Sequence, residues 1–188
     1  MSENPPIDAI EIVAGRYQLR PPSAREAADL YAMADDPAIL RWNTQIGGLA
    51  DETAARQWCE RMADWGAGTH ATLAILDATD GKLLGTVVLH HIDPVRQSAE
   101  VGYTIAPWAR GRGVASAAVK SVCDWGYGAL DLIRIALLHS TSNPASCRVA
   151  EKSGFALEGV TRSSYRYADG ELHDEHLHAR LRSDPAAG

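Results

Sequence analysis

Several features that would define a membrane or secreted protein are missing from this sequence. Among its 188 residues, no apolar run approaches the roughly 20 that a membrane-spanning helix needs. The first six residues, MSENPP, lack the basic and apolar regions of a signal peptide. Cysteine is scarce, with three residues and no Cys-x-x-Cys motif. We therefore expect reduced thiols in a cytoplasmic protein that does not bind a membrane.

Positively charged residues are fewer than negatively charged ones. The chain has 18 Lys and Arg against 24 Asp and Glu, which gives a net charge of −6. This balance argues against general nucleic-acid binding and mildly favours a cationic amine as partner. Repeats, low-complexity tracts and linkers are absent as well. The length and these absences predict one domain over 13–184. Residues 1–12, with Pro5-Pro6 at their base, are expected to form an N-terminal arm, and residues 185–188 a frayed end.

The segment 101–116, VGYTIAPWARGRGVAS, organises the rest of the chain. It begins as a β-branched and aromatic strand, which Pro107 ends because proline has no N–H to give a ladder. Gly111 and Gly113 follow, each flanked by arginine, and apolar residues then recur at helical spacing. The backbone N–H groups at this helix start, with the positive end of the helix dipole, would face an anion such as a phosphate group.

Three interpretations of this turn compete. The simplest is a strand–helix connection in which glycine serves the geometry and arginine the solubility. A dinucleotide-binding turn would use Gly111, Gly113 and Ser116, one residue short of G-x-G-x-x-G, but four residues separate its first glycine from the strand. A pyrophosphate loop of the form Arg-x-x-Gly-x-Gly/Ala, met by Arg110, Gly113 and Ala115, fits best.

The same segment resembles the acyl-CoA-binding motif of the GNAT superfamily of N-acetyltransferases. A second segment, residues 143–155 with the sequence NPASCRVAEKSGF, is similar to the later motif of that superfamily. Its form resembles the RimJ/RimL type, whose founding members acetylate the N-termini of ribosomal proteins. The resemblance runs from Arg16 to Asp184 and implies an enzyme that uses acetyl-CoA as co-substrate.

The resemblance also implies where CoA binds. Arg110 and Arg112 would supply charge to the pyrophosphate or the 3′-phosphate. Asn143 would lie beside the CoA arm, although it is a good helix cap whatever the function. The residues expected to contact CoA are Tyr103, Ile105, Arg110, Gly111, Arg112, Gly113, Val114, Ala115, Ser116 and Asn143.

The periodicity of apolar residues predicts a mixed α/β fold. A crossover helix between the fourth and fifth strands makes that pair parallel, and hairpins make the rest antiparallel. The resemblance implies the GNAT fold, a mostly antiparallel sheet of about seven strands with about four helices, in which the parallel pair splays around the pantetheine arm. The predicted strands are 16–20, 69–77, 82–92, the start of segment 101–116, 132–138, 155–166 and 173–181, and the predicted helices are one capped by Ser23, one around Trp58, one after Gly113 and one capped by Asn143.

Acyl transfer to an amine needs a deprotonated amine, a stabilised oxyanion and a proton for the leaving thiolate. As catalytic residues we expect Glu100 as base, matching a Glu-x-Gly-Tyr pattern of several acetyltransferases, and Ser146 as proton donor, matching the family's Asn-x-x-Ser pattern. The competing interpretations are that Glu100 is only a solvated carboxylate at a strand end and that Ser146 is only a serine on a helix surface. His90 and His91 are alternative bases, because alternation sends one to each face of a strand. Backbone N–H near Ile105, where the family's strand bulges, would hold the oxyanion.

An α-amine is the easier substrate for these groups. Its pKa near 8 leaves roughly a tenth of it neutral at pH 7, whereas a lysine amine near 10.4 is almost wholly charged. The acceptor side is expected to include Trp42, Asn43 and Tyr165, with Tyr167 beside them. Aromatic residues at such places are also typical of a core.

No metal site is expected. His176 and His178 share a strand face, but His173 has the opposite parity, and no carboxylate or cysteine completes a recognisable pattern. Cys147 is interpreted as a small packed residue and not as a nucleophile.

The sequence therefore predicts an acetyl-CoA-dependent N-acetyltransferase in which a primary amine attacks directly in a ternary complex. The acceptor would be a protein N-terminus or a small amine. Two alternatives stand beside it: a non-catalytic acyl-CoA-binding or regulatory module, and a dinucleotide-binding oxidoreductase-type domain. The first would bind CoA without releasing thiol, and the second would bind NAD instead. A homodimer is common in the subfamily and is not visible in the pattern.

Overall fold

Eight strands and five α-helices make up the described part of the chain. The computed structural model describes residues 4–185, so the end expected to fray lies, apart from Pro185, outside the described residues. The strands are β1 Ile12–Ala14, β2 Tyr17–Arg20, β3 His70–Asp77, β4 Leu83–Asp93, β5 Ser98–Ile105, β6 Arg134–Ser140, β7 Ala156–Arg166 and β8 Leu172–Leu181. The α-helices are α1 Ala27–Ala34, α2 Pro37–Trp42, α3 Glu52–Ala63, α4 Val114–Ala129 and α5 Pro144–Lys152. All strands join one sheet in the order β1-β2-β3-β4-β5-β6-β8-β7.

One strand and one helix exceed the predicted number. β1 lies where the N-terminal arm was expected to end, and it pairs antiparallel with β2, the strand anticipated at 16–20. α2 fills the stretch after the first helix. Its cap is Asp36, whose carboxylate accepts from the N–H groups of Ala38 and Ile39, and Pro37 occupies the first turn, where its missing N–H is harmless.

The N-terminal segment packs against the rest of the protein. Asn4 Nδ2 donates to the Ile92 carbonyl at 2.8 Å, and the Ile7 N–H donates to the Trp65 carbonyl at 3.4 Å. The Ile7 side chain also packs on the core. Residues 4–12 therefore lie along the domain, because their apolar side chains find a surface to cover there.

The predicted helix caps are confirmed. Ser23 and Glu26 form a reciprocal capping box, which opens a short 3-10 turn that leads into α1. The side-chain Oδ1 of Asn143 accepts from the Ser146 N–H at 3.2 Å and caps the start of α5. Gly154 follows that helix at a φ of +80°. Within residues 4–185, none of the helices combines the length and the apolar character that crossing a membrane requires.

Helices cover both faces of the sheet. On one face lies α4, because a Cβ added to Gly126 would be 3.0 Å from Leu89 of β4. On the other face lies α3, whose Met62 sulfur is 3.9 Å from the Thr72 hydroxyl of β3. Thr72 pairs with Val88, whose side chain points away from that of Leu89. We call these the α4 face and the α3 face.

The parallel strands β5 and β6 separate partway along their length. Residues 98–100 of β5 pair with residues 134–136 of β6. Beyond them β5 continues beside β4, and β6 continues beside β8. A gap consequently opens between residues 101–105 and 137–140, as the resemblance implied. We call it the β5–β6 gap.

Candidate active site

The loop between β5 and α4 leaves its backbone open to a ligand. Gly111 and Gly113 have φ values of +74° and +76°, a left-handed conformation that favours glycine, and a Cβ added to either would meet nothing within 4 Å. The N-cap residue of α4 is Gly113, which has no side chain to cap the helix, so the first N–H groups, from Val114 to Ser116, have no partner within the helix. A 3-10 turn at Pro107–Ala109 separates the loop from β5, which disfavours the dinucleotide interpretation. The arrangement suits a phosphate group.

Both arginines of this loop have carboxylate partners. Arg110 forms two hydrogen bonds with Asp36, at 2.5 and 3.1 Å, and Arg112 lies 3.3 Å from Asp77. The Arg110 guanidinium holds the pKa of Asp36 below its ordinary value. The two arginines are therefore anchored beside the loop, and a bound phosphate would share them with these carboxylates.

A cavity of about 370 Å³ lies beside Arg112. Trp108 forms one wall, with its indole N–H donating to the Leu83 carbonyl at 2.8 Å, and the Lys82 amine lies 5.0 Å from its ring centre. The charged groups that line the cavity are the cations Arg16, Lys82 and Arg112 and the carboxylates Asp77 and Asp80. An aromatic wall with an excess of cations suits an anion that carries a ring.

Tyr103 and Ser146 meet across the β5–β6 gap. The Tyr103 hydroxyl donates to the Ser146 hydroxyl at 3.0 Å. Ser146 lies in the first turn of α5, whose start is fixed by the Asn143 cap. Burial raises the pKa of Tyr103 to about 12, so the phenol keeps its proton at neutral pH. This pair of hydroxyls could pass a proton to a group held in the gap.

Backbone groups of β5 also face the gap. The Ala106 N–H donates to the Leu84 carbonyl of β4 at 2.9 Å. Because successive strand residues direct their backbone groups to opposite sides, the N–H groups of Tyr103 and Ile105 point toward the gap. The register of β5 with β4 is regular from Glu100 to Ile105, so the bulge expected at Ile105 is absent. Because β5 and β6 diverge here, the Ile105 N–H remains available to a ligand without a bulge.

Glu100 lies on the α3 face, where the β5–β6 gap begins. Its carboxylate is 3.2 Å from His91 Nδ1 and 3.9 Å from His90 Nδ1, and its side chain is 37% exposed. Burial lowers the pKa of His90, which favours its neutral imidazole. The carboxylate is open to solvent on one side and neighboured by two imidazoles on the other.

The expectation that His90 and His91 point to opposite faces is wrong. His91 has a φ of +49°, and the register of β4 with β5 shifts between His90 and Asp93. This irregularity breaks the alternation of side chains, and the two Nδ1 atoms lie 3.2 Å apart. Glu100 and both histidines therefore form one cluster.

The residues expected on the acceptor side come together on the α3 face. The ring of Trp42 in α2 meets that of Tyr167 edge-on at 5.4 Å, and Tyr165 lies 4.8 Å from Tyr167. Asn43 Nδ2 donates to the Thr104 hydroxyl at 2.5 Å, while its Oδ1 accepts backbone N–H groups of the following loop. Protein contacts thus occupy the Asn43 amide, which ties α2 to β5.

Sequence reasoning missed a buried carboxylate in this region. Glu175 of β8 is 6% exposed and accepts from the hydroxyls of Tyr167 and Ser164, each at 2.9 Å. It is opposite Ser140, at the open end of β6. Parity was the available signal, because Glu175 shares a strand face with the buried Ala179, where an apolar residue is normal.

The histidines of β8 separate into two environments. His176 and His178 lie on the α4 face with His139 and Cys147. His173 lies outside that group, and its Nε2 is hydrogen-bonded to Asp169 Oδ2 at 2.8 Å. The sequence showed no further metal ligand for His176 and His178, because the residues that lie beside them come from β6 and α5, which are distant in the chain.

Comparison with known proteins agrees with this architecture. The profile of the family described as Acetyltransferase (GNAT) domain matches residues 16–156. YdaF of Bacillus subtilis (strain 168), whose assignment as a ribosomal N-acetyltransferase is itself an inference, is 31% identical over 161 residues, which cover 83% of this chain and 84% of YdaF. Spermidine N(1)-acetyltransferase of Escherichia coli (strain K12) is 34% identical over 80 residues, 43% of each chain.

A solved structure has the same fold. Mycobacterium smegmatis RimJ in complex with CoA-disulfide superposes with a TM-score of 0.83 at 24% identity, over 100% of this chain and 94% of RimJ. The family profile spans β2 to α5, which includes the open loop, the β5–β6 gap and the Tyr103–Ser146 pair. The chain therefore belongs to the GNAT family and is an acetyl-CoA-dependent N-acetyltransferase.

Proposed function

We propose that this protein transfers the acetyl group of acetyl-CoA to a primary amine, either a protein N-terminal α-amine or a small amine, by direct attack in a ternary complex. The observation that carries the proposal is the β5–β6 gap, which opens beside the uncapped start of α4. A long, narrow ligand with a phosphate group near one end matches these two features together.

CoA is proposed to bind along the gap. Its pyrophosphate would accept from the N–H groups that follow Gly113, with Arg110 nearby, and its 3′-phosphate would lie in the cavity beside Arg112. The amides of the pantetheine arm would pair with the free backbone groups of β5, as an added strand does. RimJ, which is described with CoA-disulfide, supports this placement by its similar fold.

The reaction forms a C–N bond and breaks the C–S bond of the thioester. The amine attacks the carbonyl carbon, and the Ile105 N–H stabilises the negative oxygen of the tetrahedral intermediate. Ser146 donates a proton to the leaving thiolate and recovers one from Tyr103, to which it is hydrogen-bonded, and Tyr103 then takes a proton from solvent. The proton lost by the amine passes to Glu100, directly or through a water molecule.

Carboxylates on the α3 face favour a cationic acceptor. Glu100 is exposed beside two histidines, and Glu175 is buried beside Tyr167. An ammonium group would be attracted to both, and an α-amine loses its proton most easily near neutral pH. We therefore place a protein N-terminus first. A polyamine is second, supported by the similarity to spermidine N(1)-acetyltransferase.

Calorimetric titration with acetyl-CoA, CoA and NAD tests the cofactor part of the proposal. The wild type is expected to bind acetyl-CoA and CoA, and Gly113→Trp is expected to lose both because the indole fills the space over the loop. Binding of NAD without CoA would contradict the proposal and restore the dinucleotide alternative.

Thiol release with N-terminal peptides and with spermidine tests the acceptor part. Release with a free N-terminal peptide, and none with the same peptide blocked at its N-terminus, is the expected result. CoA binding with no release for any amine would favour the non-catalytic module instead.

A further inference from the structure

Four metal-ligating side chains meet on the α4 face of the sheet, beneath α5. They are His139 of β6, Cys147 of α5, and His176 and His178 of β8. One nitrogen or sulfur atom from each lies within 4.8 Å of those from the others. None of these atoms takes part in the proposed transfer of the acetyl group.

Regular secondary structure holds the four residues in place. His139 pairs with His176 across β6 and β8, and His178 follows on the same face. The ring centres of His139 and His176 are 5.2 Å apart, and His139 stacks on His178 at 5.2 Å. Cys147 approaches from the helix above, with its sulfur 3.9 Å from His178 Nε2. Sites built on such elements are well ordered before a ligand arrives.

The tautomer of His139 directs a lone pair into the group. Its Nδ1 lies 2.9 Å from the Ser140 carbonyl, which can only accept, so Nδ1 carries the proton and Nε2 is the free base. That Nε2 is buried without a hydrogen-bond partner, and the residue is only 5% exposed. A ring N–H bonded to a backbone carbonyl is the usual support for a metal-binding histidine.

The other two imidazoles are similarly under-satisfied. Nδ1 of His176 and Nδ1 of His178 are buried with no hydrogen-bond partner, and His178 is 1% exposed. Leaving buried nitrogens such as His139 Nε2 and His176 Nδ1 unpaired is costly, and a cation bound to them would remove that cost.

We propose that His139, Cys147, His176 and His178 bind one Zn²⁺ ion in a tetrahedral site. Three imidazoles and one thiolate are the ligands of zinc and not of Mg²⁺ or Ca²⁺, which take oxygen. Zinc bonds of about 2.0 Å to nitrogen and 2.3 Å to sulfur place neighbouring ligands roughly 3.3 to 3.6 Å apart, so the group closes inward on binding. The Cys147 thiol, which now faces Glu151 at 3.7 Å, turns inward and loses its proton to solvent.

The site is closed and therefore structural. All four ligands come from the chain, which leaves no position for substrate. Cys147 is adjacent to Ser146, so the ion fixes the first turn of α5 against β6 and β8. The proposal does not depend on acetyl transfer, since its ligands and readout are separate from that reaction.

A second cluster offers an internal comparison. His90, His91 and Glu100 also lie within 4.8 Å of one another. The His91 side chain is 75% exposed, and the imidazoles already have the carboxylate as partner. The three groups, of which His91 is exposed and the other two are half-buried, are partners of one another and lack the buried free nitrogens of the first cluster.

Cobalt substitution tests the zinc site in the full-length chain. After removal of metal with a chelator, Co²⁺ titration is expected to reach one equivalent, with the visible bands of tetrahedral cobalt and a thiolate-to-cobalt charge-transfer band. Zinc should displace the cobalt and abolish both. Cys147→Ser should lose the charge-transfer band, and His176→Ala should bind at least tenfold more weakly. His173→Ala, on the same strand, and His91→Ala, in the other cluster, should behave as wild type.

Two results would overturn the zinc proposal. One is the absence of stoichiometric cobalt binding in the metal-free wild type, with circular dichroism showing that it is folded. The other is a charge-transfer band that survives in Cys147→Ser or disappears in His91→Ala. Cys147 is partly exposed, so its serine variant is expected to fold and to make the comparison valid.

Discussion

The contact between Tyr103 and Ser146 joins two strand-and-helix units that are distant in the chain. The two hydroxyls are joined by a 3.0 Å hydrogen bond. Ser146 can therefore donate a proton, and Tyr103 can replace the proton that Ser146 loses. Taken alone, Ser146 is a helix residue of ordinary type, and this contact adds a structural reason to the Asn-x-x-Ser pattern that singled it out.

Ser146→Ala is expected to lower kcat for thiol release by roughly 100-fold or more, the lower end of what acid–base catalysis contributes. The KM for acetyl-CoA should change little, because the hydroxyl acts on the leaving group. Tyr103→Phe should lose less, since water can replace the proton it supplies. Steady-state kinetics measure the split, and Ser121→Ala, which removes a hydroxyl that no proposed step uses, is the control. An unchanged kcat in Ser146→Ala would refute its role.

Glu100→Gln is expected to lose activity chiefly at neutral pH. At pH 7 the rate should fall roughly 100-fold with an α-amine acceptor, because the variant cannot accept the amine's proton. Above the amine pKa, near 8, the acceptor deprotonates unaided and the deficit should narrow. A pH–rate profile of both proteins measures this difference. If the loss of activity is instead independent of pH and appears as a higher KM for the amine acceptor, Glu100 only holds the ammonium group of the acceptor.

At the scale of elements, the first turn after β2 couples a helix start to a buried ion pair. Glu26 closes the capping box with Ser23 and also binds Arg20 of β2 at 2.8 Å. Burial opposes the charged form of Glu26, but the hydrogen bonds from Arg20 and Ser23 outweigh it and lower its pKa. One carboxylate therefore joins the sheet to α1.

The lowered pKa of Glu26 sets the sign of a pH effect on stability. A carboxyl with a folded-state pKa below its unfolded value stabilises the protein above the unfolded pKa, and this stabilisation disappears as the pH falls through the folded pKa. Glu26→Gln should therefore reduce the free energy of unfolding by about 1–3 kcal/mol at pH 7, and by less under acidic conditions. Urea denaturation at several pH values measures the difference.

Glu52→Gln is the matched control for Glu26→Gln. Glu52 is exposed and its ion pair with Arg56, at 3.9 Å, is a surface pair that contributes little to stability. Equal losses in the two variants, or a Glu26→Gln deficit that grows in acid, would contradict the interpretation.

At the scale of the whole molecule, CoA would bridge elements that the sheet keeps apart. The open loop, β5 and α5 all border the β5–β6 gap, and a ligand that contacts all three binds only the folded state. Binding should therefore add to global stability.

Acetyl-CoA at 100 times its Kd is expected to stabilise the fold by about 2.7 kcal/mol. For a domain of this size that corresponds to a rise in Tm of roughly 5–10 °C. Differential scanning calorimetry measures the shift, and Gly113→Trp should show none. A shift of equal size in that variant would mean that CoA binds elsewhere.

Much of the fold and of the cofactor loop was predictable because the signals are local. The caps at Ser23 and Asn143 depend on contacts within three residues, and the open turn at Gly111 and Gly113 depends on backbone conformation. The parallel pair followed from the length of the connection between its strands. Each of these features involves neighbours in the chain, so the residue types reveal it.

Local irregularities limited the prediction of side-chain direction. The opposite orientation of His90 and His91 assumed an ideal strand, and the φ of +49° at His91 removed that assumption. The ion pair between Asp36 and Arg110 similarly depends on how α2 approaches the loop. No short pattern encodes either contact.

By itself the sequence determined the family, the order of most elements and the open loop before α4, since these rest on short-range geometry and residue type. The resemblance also implied the β5–β6 gap, which the structure contains. Only the tertiary structure decided the burial of Glu175 and the group of His139, Cys147, His176 and His178. The physical reason is that each of these requires strands and helices from distant parts of the chain to pack in one arrangement. Packing, unlike a cap or a turn, is a property of the whole sheet.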